Sequence, residues 1–229
     1  MKNENTEDTL ILIPAYNEEK NLVFVIDNLK KYFNEILVVN DGSTDDTKLT
    51  LELKKINFIN HAINLGQGAA LETGFNYFIK NKKYKYIITF DADGQHSSLD
   101  AYNMMNLIKK NNNYQAVIGS RFKSKDSINQ IPFFKKLTLI VAKFYERLFY
   151  GIKFSDAHNG LRVLKREIVE KKILPIESSG MNHATEISSK IMHSSMNFIE
   201  FPVNVKYKGK KSQNPLNAIN ILVNNIFYH

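Results

Sequence analysis

An apolar run of β-branched and aromatic residues, Tyr86 to Phe90, stops abruptly at Asp91-Ala-Asp-Gly-Gln-His96. A short run of this kind, closed by glycine, reads as a buried strand opening into a loop. On an extended backbone, residues two apart point to the same side, so Asp91 and Asp93 are expected to aim at one point. Two carboxylates sharing a site repel unless a proton or a cation lies between them. The carboxyl ends of strands in an open α/β sheet are also where ligands bind. A divalent metal carrying a phosphorylated substrate meets these demands, because Mg²⁺ typically takes one or two carboxylates plus phosphate oxygens. The bland alternative is a loop that merely begins with Asp, a common turn residue.

The rest of the chain repeats the strand-then-loop pattern. Thr9 to Pro14, Glu35 to Asn40 and Asn57 to Asn60 read as strands before Tyr86–Phe90, and Gln115 to Gly119 as one after it. The first is a continuous apolar run of the type that a parallel sheet covered on both faces requires. Between the runs lie helical spacings, with Leu22, Val25, Ile26 and Leu29 on one face and a further helix from about Ala69 to Ile79. Helices are also expected near Leu99–Lys109, Lys165–Lys172 and Met181–His193, and an alternating strand within Phe198–Tyr207. The β-α-β-α order predicts a doubly wound, mostly parallel α/β sheet. From Pro132 to Tyr150, Phe133, Leu137, Ile140, Val141, Phe144 and Leu148 form one apolar helical face among Lys135, Lys136, Lys143 and Arg147. Such a helix lies flat on a membrane surface or packs on the sheet; base rates favour packing. A last amphipathic helix is expected after Pro215, with Ile219, Leu222, Val223, Ile226 and Phe227 on one face.

With 229 residues and 43% apolar content, one full-sized domain is expected. No stretch reaches the roughly 20 apolar residues needed to span a bilayer, and the polar, acidic start, Met1 to Asp8, does not read as a signal or transit peptide. The absence of cysteine excludes disulfides and thiolate metal sites. A net charge of +8, from 31 basic against 23 acidic residues, favours an anionic partner: nucleic acid, an anionic membrane surface or phosphorylated substrates.

Six stretches fall in one order: Pro14-Ala-Tyr-Asn-Glu18, Asn40-Asp-Gly-Ser-Thr-Asp45, Asn64-Leu-Gly-Gln-Gly-Ala69, Asp91-Ala-Asp-Gly-Gln-His96, Gly119-Ser-Arg-Phe122 and Asp156-Ala-His-Asn-Gly-Leu-Arg162. Together they resemble the family 2 inverting glycosyltransferases of GT-A fold, above all the dolichol-phosphate-mannose-synthase-like branch and its bacterial relatives in surface-polysaccharide assembly. The resemblance covers nearly the whole chain. It implies a single GT-A domain over residues 1–229, with a Rossmann-like nucleotide-sugar-binding half (8–122) and an acceptor-side half (123–229).

The resemblance also assigns roles. Pro14, Tyr16 and Glu18 at the first strand end, with Asp41, Gly66 and Gly68, would hold the nucleotide of a UDP- or GDP-sugar. Tyr16 matches the residue beside the base and Asp41 the carboxylate that bonds its ring N–H. Asn40 stands where many members carry a second Asp. Gly66 and Gly68 would let backbone approach the nucleotide, or serve only an ordinary turn. Asp91 and Asp93 match the carboxylates for Mg²⁺ or Mn²⁺, with Ala92, Gln95 and His96 lining the same site. Arg121 and Arg162 are candidates to grip phosphate with two parallel bonds, or to form surface salt bridges. A hydroxyl acceptor needs a general base, for which Asp156 and Glu186 are candidates; an ionised polyprenyl phosphate needs none. The basic loop with Lys206, Lys208, Lys210 and Lys211 matches the acceptor side, and otherwise is a solvated charge run.

The implied protein is a metal-dependent inverting transferase. It acts on a polyprenyl-phosphate or lipid-linked saccharide acceptor in cell-envelope glycan synthesis, at the cytoplasmic face of the membrane as a peripheral protein, without nucleic acid. Two rivals remain. Phe90-Asp-Ala-Asp-Gly94 imitates the nucleophile strand of haloacid-dehalogenase-type phosphatases, although those usually carry it on the first strand. A non-catalytic basic module explains the charge and leaves Asp91, Asp93 and Asp156 idle.

Overall fold

The computed structural model describes residues 6–131, 133–180 and 182–206. Seven strands form one sheet in the order β3-β2-β1-β4-β6-β5-β7. They are β1 (Thr9–Ala15), β2 (Ile36–Asn40), β3 (Asn57–Asn60), β4 (Tyr86–Thr89), β5 (Ala116–Ser120), β6 (Arg162–Lys165) and β7 (Phe198–Pro202). β1 and β2 are buried along their whole length, which is why their sequences are continuously apolar rather than alternating. The helices α1 (Glu19–Leu29), α2 (Thr47–Leu53), α3 (Gln67–Lys80) and α4 (Ser98–Lys110) follow the first four strands in turn. Two buried clusters lie on the sheet's faces. One gathers Ile11, Ile13, Val38 and Ile88 with α1 and α4. The other gathers Leu10, Leu12, Leu37 and Ile87 with α3. Alternate residues of each strand go to opposite clusters, as a period of two demands.

The sheet departs from a purely parallel one at β6. This strand runs antiparallel to β4, pairing Ile88 with Val163, and to β5, pairing Val117 with Val163. Four residues, Arg162-Val-Leu-Lys165, carry too little periodicity to announce a strand. The helix expected near Lys165–Lys172 is a single turn, α7 (Arg166–Ile168), continued by a π turn over Val169–Ile173. The antiparallel sense has a consequence for the site. The start of β6 lies at the same sheet edge as the ends of β4 and β5, so the loop before β6 reaches the ligand-binding edge.

After β5 come α5 (Lys125–Gln130) and α6 (Phe133–Tyr150), and α8 (His183–Met192) precedes β7. The packing of α6 on the sheet expected from base rates is not what is found. Leu137, Ile140, Val141, Phe144 and Leu148 face outward, with Phe144 69% and Leu148 66% exposed, while Leu139, Glu146 and Tyr150 line a cavity. The helix turns Glu146, with Leu139 and Tyr145, towards the cavity, while Lys143 and Arg147 stay exposed beside the apolar row. Lys208, Lys211 and the expected C-terminal helix lie outside the described residues.

Candidate active site

A cavity of about 1060 Å³ opens where β1, β2 and β4 end. Pro14, Tyr16, Glu18, Asp41, Gly66, Asp91, Ala92, Asp93, Gln95, Arg121, Arg162 and Glu186 all contribute to its lining. Of the residues singled out in the sequence, Gly68 and Asp156 are not among those that line it.

The loops after β1 and β2 are stitched together. Asn17, held at φ 54°, donates its backbone N–H to Ser43 Oγ (2.9 Å) and accepts from the Thr44 N–H (2.9 Å). The Glu18 N–H donates to Thr47 Oγ1 at 2.9 Å. Asn40, where an acid is usual, is buried and donates to the Asn60 side chain at 2.6 Å. An amide fits an amide partner there without the cost of a second buried charge. Asp41 Oδ1 accepts from His61 Nδ1 (2.7 Å) and the Leu65 N–H (3.0 Å), and Oδ2 from the Gly66 N–H (2.8 Å). With about four lone-pair directions on a carboxylate, about one on Oδ2 is left for a ligand. His61 is fixed in turn by Thr73 Oγ1 at 2.9 Å.

The two glycines are in close contact with the 178–179 segment. A Cβ on Gly66, whose φ is +94°, would sit 2.4 Å from the Ser179 carbonyl oxygen, and one on Gly68 1.8 Å from that of Ser178. The Gly68 N–H also donates to Ser179 O at 2.9 Å. Both permit close approach of the 178–179 segment, which then walls the cavity.

Asp91, at the end of β4, is caged. Its Oδ2 meets His96 Nε2 at 2.9 Å and its Oδ1 accepts from Gln67 Nε2 at 3.3 Å. A Cβ on Gly160 would sit 2.3–2.6 Å from the carboxylate, and the Gly160 carbonyl accepts from Thr89 Oγ1 at 2.6 Å. Burial raises the Asp91 pKa, but the His96 bond and the nearby Arg162 and His183 outweigh it and hold the carboxyl below its usual range. Asp93 Oδ1 accepts the Gln95 N–H at 2.9 Å, closing the turn through Gly94 at φ +73°. Among the described residues, no three or more His, Cys, Asp or Glu side chains converge as a protein-only metal cage. Two carboxylates on a cavity wall suit a cation shared with substrate phosphates.

The cationic candidates differ from each other. Arg121 donates its backbone N–H and Nε to Asp156 Oδ2 (2.9 and 2.7 Å) and Nη2 to Oδ1 (2.6 Å). Asp156 is thus held in a buried pair with Arg121, which lines the cavity while Asp156 does not. Burial raises its pKa, and Arg121 more than reverses that. Arg162 is 1% exposed and lines the cavity, and its Nε has no partner. Burial lowers its pKa to about 10, against the pull of Asp91, Asp156 and Glu146, so it is a cation at neutral pH. Glu186 accepts the N–H groups of Glu177 (3.0 Å) and Ser178 (2.8 Å) and the Lys190 ammonium (2.6 Å). Burial opposes its ionisation, but these partners win and its pKa is lowered. It anchors the same segment that Gly66 and Gly68 admit.

Sequence reasoning missed His61, Gln67, Glu146, His158 and Gly160. All but Glu146 lie within or beside the recognised stretches. Glu146 gave only the signal of a lone acid opposite an apolar stripe.

Comparison with known proteins agrees with this geometry. The glycosyl transferase family 2 model matches residues 10–172. The chain is 29% identical over 219 residues to the UDP-N-acetylglucosamine–dolichyl-phosphate N-acetylglucosaminyltransferase of Methanococcus voltae, covering 86% of this chain and 85% of that protein. It is 26% identical over 207 residues to the polyprenol monophosphomannose synthase of Mycolicibacterium smegmatis, covering 86% and 77%. Its fold matches glucosyl-3-phosphoglycerate synthase of Mycobacterium tuberculosis, solved with Mn²⁺ and UDP-glucose, with a TM-score of 0.67 at 15% identity over 96% of this chain and 78% of that one. With the family model matched over residues 10–172, most of the chain, the protein belongs to the family 2 glycosyltransferases.

Proposed function

We propose that this glycosyltransferase moves a sugar from a UDP- or GDP-sugar to a polyprenyl phosphate, with inversion, at a membrane surface. The observation that carries the reading is the commitment of both candidate bases. Asp156 is locked to Arg121, and Glu186 is held by Lys190 and two backbone N–H groups. A hydroxyl acceptor would have to give up a proton to such a group. A phosphate acceptor is already an anion and needs none.

In this reaction a phosphate oxygen of the acceptor bonds to the anomeric carbon as the bond from that carbon to the donor diphosphate breaks. The nucleoside diphosphate leaves with the electron pair, and no proton moves. Tyr16 and Asp41 bind and orient the nucleotide. Asp91 and Asp93 would hold Mg²⁺ or Mn²⁺, which when bound neutralises the diphosphate as a Lewis acid. Arg162 contributes a fixed positive charge inside the cavity, where water competes least. Residues 8–122 serve the donor and the remainder serves the acceptor. The outward apolar row of α6, beside Lys143 and Arg147, supports peripheral contact with an anionic bilayer; no helix among the described residues is long and apolar enough to cross one.

The test is transfer from a panel of UDP- and GDP-sugars, with Mn²⁺ or Mg²⁺, to a short-chain polyprenyl phosphate and to the matching alcohol. The expected product is a glycosyl phosphodiester lipid of inverted anomeric configuration, seen by mass spectrometry and NMR. Transfer to the alcohol alone, or only donor hydrolysis, would overturn the reading.

A further inference from the structure

Asp41 offers the cavity only part of its carboxylate, and which part bears on the choice of donor. Its side chain lines the cavity and is 4% exposed. Its N–H donates to Ala15 O at 2.9 Å, which sets it beside the residue before Tyr16. Oδ1 takes two donors, His61 Nδ1 at 2.7 Å and the Leu65 N–H at 3.0 Å. Oδ2 takes one, the Gly66 N–H at 2.8 Å. A carboxylate has about two acceptor positions on each oxygen. Oδ1 is therefore full, and about one position remains on Oδ2.

The filling of Oδ1 is built into the fold. His61 follows β3 directly, and its N–H donates to the carbonyl of Asn40, the residue before Asp41, at 2.9 Å. Its side chain is 9% exposed, and its Nε2 meets Thr73 Oγ1 of α3 at 2.9 Å. Backbone on one side and a helix hydroxyl on the other thus hold the imidazole against Oδ1. The bases of nucleoside diphosphates present different edges to such a group. Uracil presents one ring N–H, at N3, between two carbonyls. Guanine presents two N–H groups side by side, at N1 and the exocyclic nitrogen, a pair that fits a carboxylate with both oxygens open. Cytosine presents a bare lone pair at N3. Against one open position on Oδ2, the uracil N–H is satisfied, and its flanking carbonyl meets an Oδ1 already covered by N–H groups. The second N–H of guanine meets a filled oxygen, and the cytosine lone pair meets another lone pair. Polar groups left unpaired in this way are what a hydrogen-bonding site rejects.

We propose that the donor is a UDP-sugar and not a GDP-sugar, and that His61 is a specificity-determining residue. By filling Oδ1, His61 leaves Asp41 one acceptor for one ring N–H. The inference rests on the reading of Tyr16 and Asp41 as the partners of the base. Tyr16, 45% exposed on the same lining, offers a stacking face that every base can use. It adds affinity without choosing, and Asp41 makes the choice.

The test is isothermal titration of the full chain, in Mn²⁺, with UDP, GDP, CDP and UDP methylated at N3. UDP is expected to bind about tenfold or more tightly than each of the others, the scale of one hydrogen bond to a charged group. The N3-methyl compound isolates that bond, since it keeps the ribose and diphosphate and lacks the N–H. His61→Ala uncovers Oδ1, which then attracts the second N–H of guanine and repels the uracil carbonyl. The UDP-over-GDP ratio should narrow by about fivefold, as for one hydrogen bond lost. His61→Asn, whose amide nitrogen can stand where Nδ1 does, should restore the ratio, a recovery that a merely structural role would not give. GDP binding as tightly as UDP, or N3-methyl-UDP matching UDP, would overturn the inference and leave the transferase reading in place. An unchanged ratio in His61→Ala would remove His61 from the choice. If none of the four binds, the reading of a nucleotide-sugar donor fails with it, and the wild-type titrations tell that case apart.

Discussion

The turn after β2 and the helix after β5 are finished to different degrees. Around Asp41, His61, Leu65 and Gly66 fill nearly every acceptor position, and the walls are protein against protein. On α6 a row of five large apolar side chains is left about half or more exposed among the described residues. The first region is preorganised for a small polar ligand, since its donors and acceptors are spent on each other save for a few. The second leaves a contiguous apolar row uncovered among the described residues, the kind of surface that marks an interaction site. One enzyme thus carries a preorganised end and, among the described residues, an uncovered one.

Four experiments press on that contrast. The largest effect is expected at the rigid end. Asp91→Asn should lower transfer by about a thousandfold, the scale of losing a main electrostatic group, while the melting temperature stays near that of wild type. A large fall in melting temperature would instead make the cage a folding element. Next is the clasp between the two regions. Asp156→Asn removes the charge partner of a buried guanidinium and should cost about 3 kcal/mol in denaturant unfolding. Because Arg121 holds Asp156 below its ordinary value of 3.8, its contribution is full above that pH and lost as pH falls through the folded value. Urea titrations from pH 7 downward should therefore converge for wild type and variant under strongly acid conditions.

Gly160→Ala is the third. A methyl group cannot share space with the Asp91 carboxylate, so kcat/KM should drop by about 10- to 100-fold, the scale of disturbing a ligand's support. Donor binding without metal should change less. The smallest effect on the protein itself belongs to the open end. Phe144→Ser with Leu148→Ser should leave folding stability within about 0.5 kcal/mol, since both side chains are exposed. Binding to vesicles with anionic lipid should weaken by about 1.5–3 kcal/mol per side chain. Equal vesicle binding by wild type and variant would remove the membrane from the comparison.

The rigid region was the more legible of the two in the sequence. Continuous Val, Ile and Leu runs ended by Asp or Asn have few readings other than buried strands opening into loops, and six such stretches in order carry a family resemblance. What stayed hidden depends on contacts between distant segments. Nothing local in Gly160 says that Asp91 presses on it, and nothing in Asp41 says that His61 will occupy it. β6 is four residues long, and its direction is set by the excursion before it. The face that α6 buries was misjudged because periodicity identifies two sides of a helix without saying whether core or cavity lies behind it.

The clasp at the base of that excursion has one more implication. Ser120 and Ser155 meet at 2.5 Å, and Arg121 grips Asp156 across 35 positions of sequence. The chain leaves the sheet and returns to it through a closed neck. Closing such a loop costs little more as it lengthens, because the entropy grows only with the logarithm of its size. Closure entropy therefore sets little limit on the length of the segment between the neck residues, and what holds it to the rest is packing: Ile152 and Phe154 lie in the core and Ser127 bonds the backbone of Val203 and Val205. The neck thus separates two requirements on one segment: its ends are fixed by the clasp, and its interior by what it packs against.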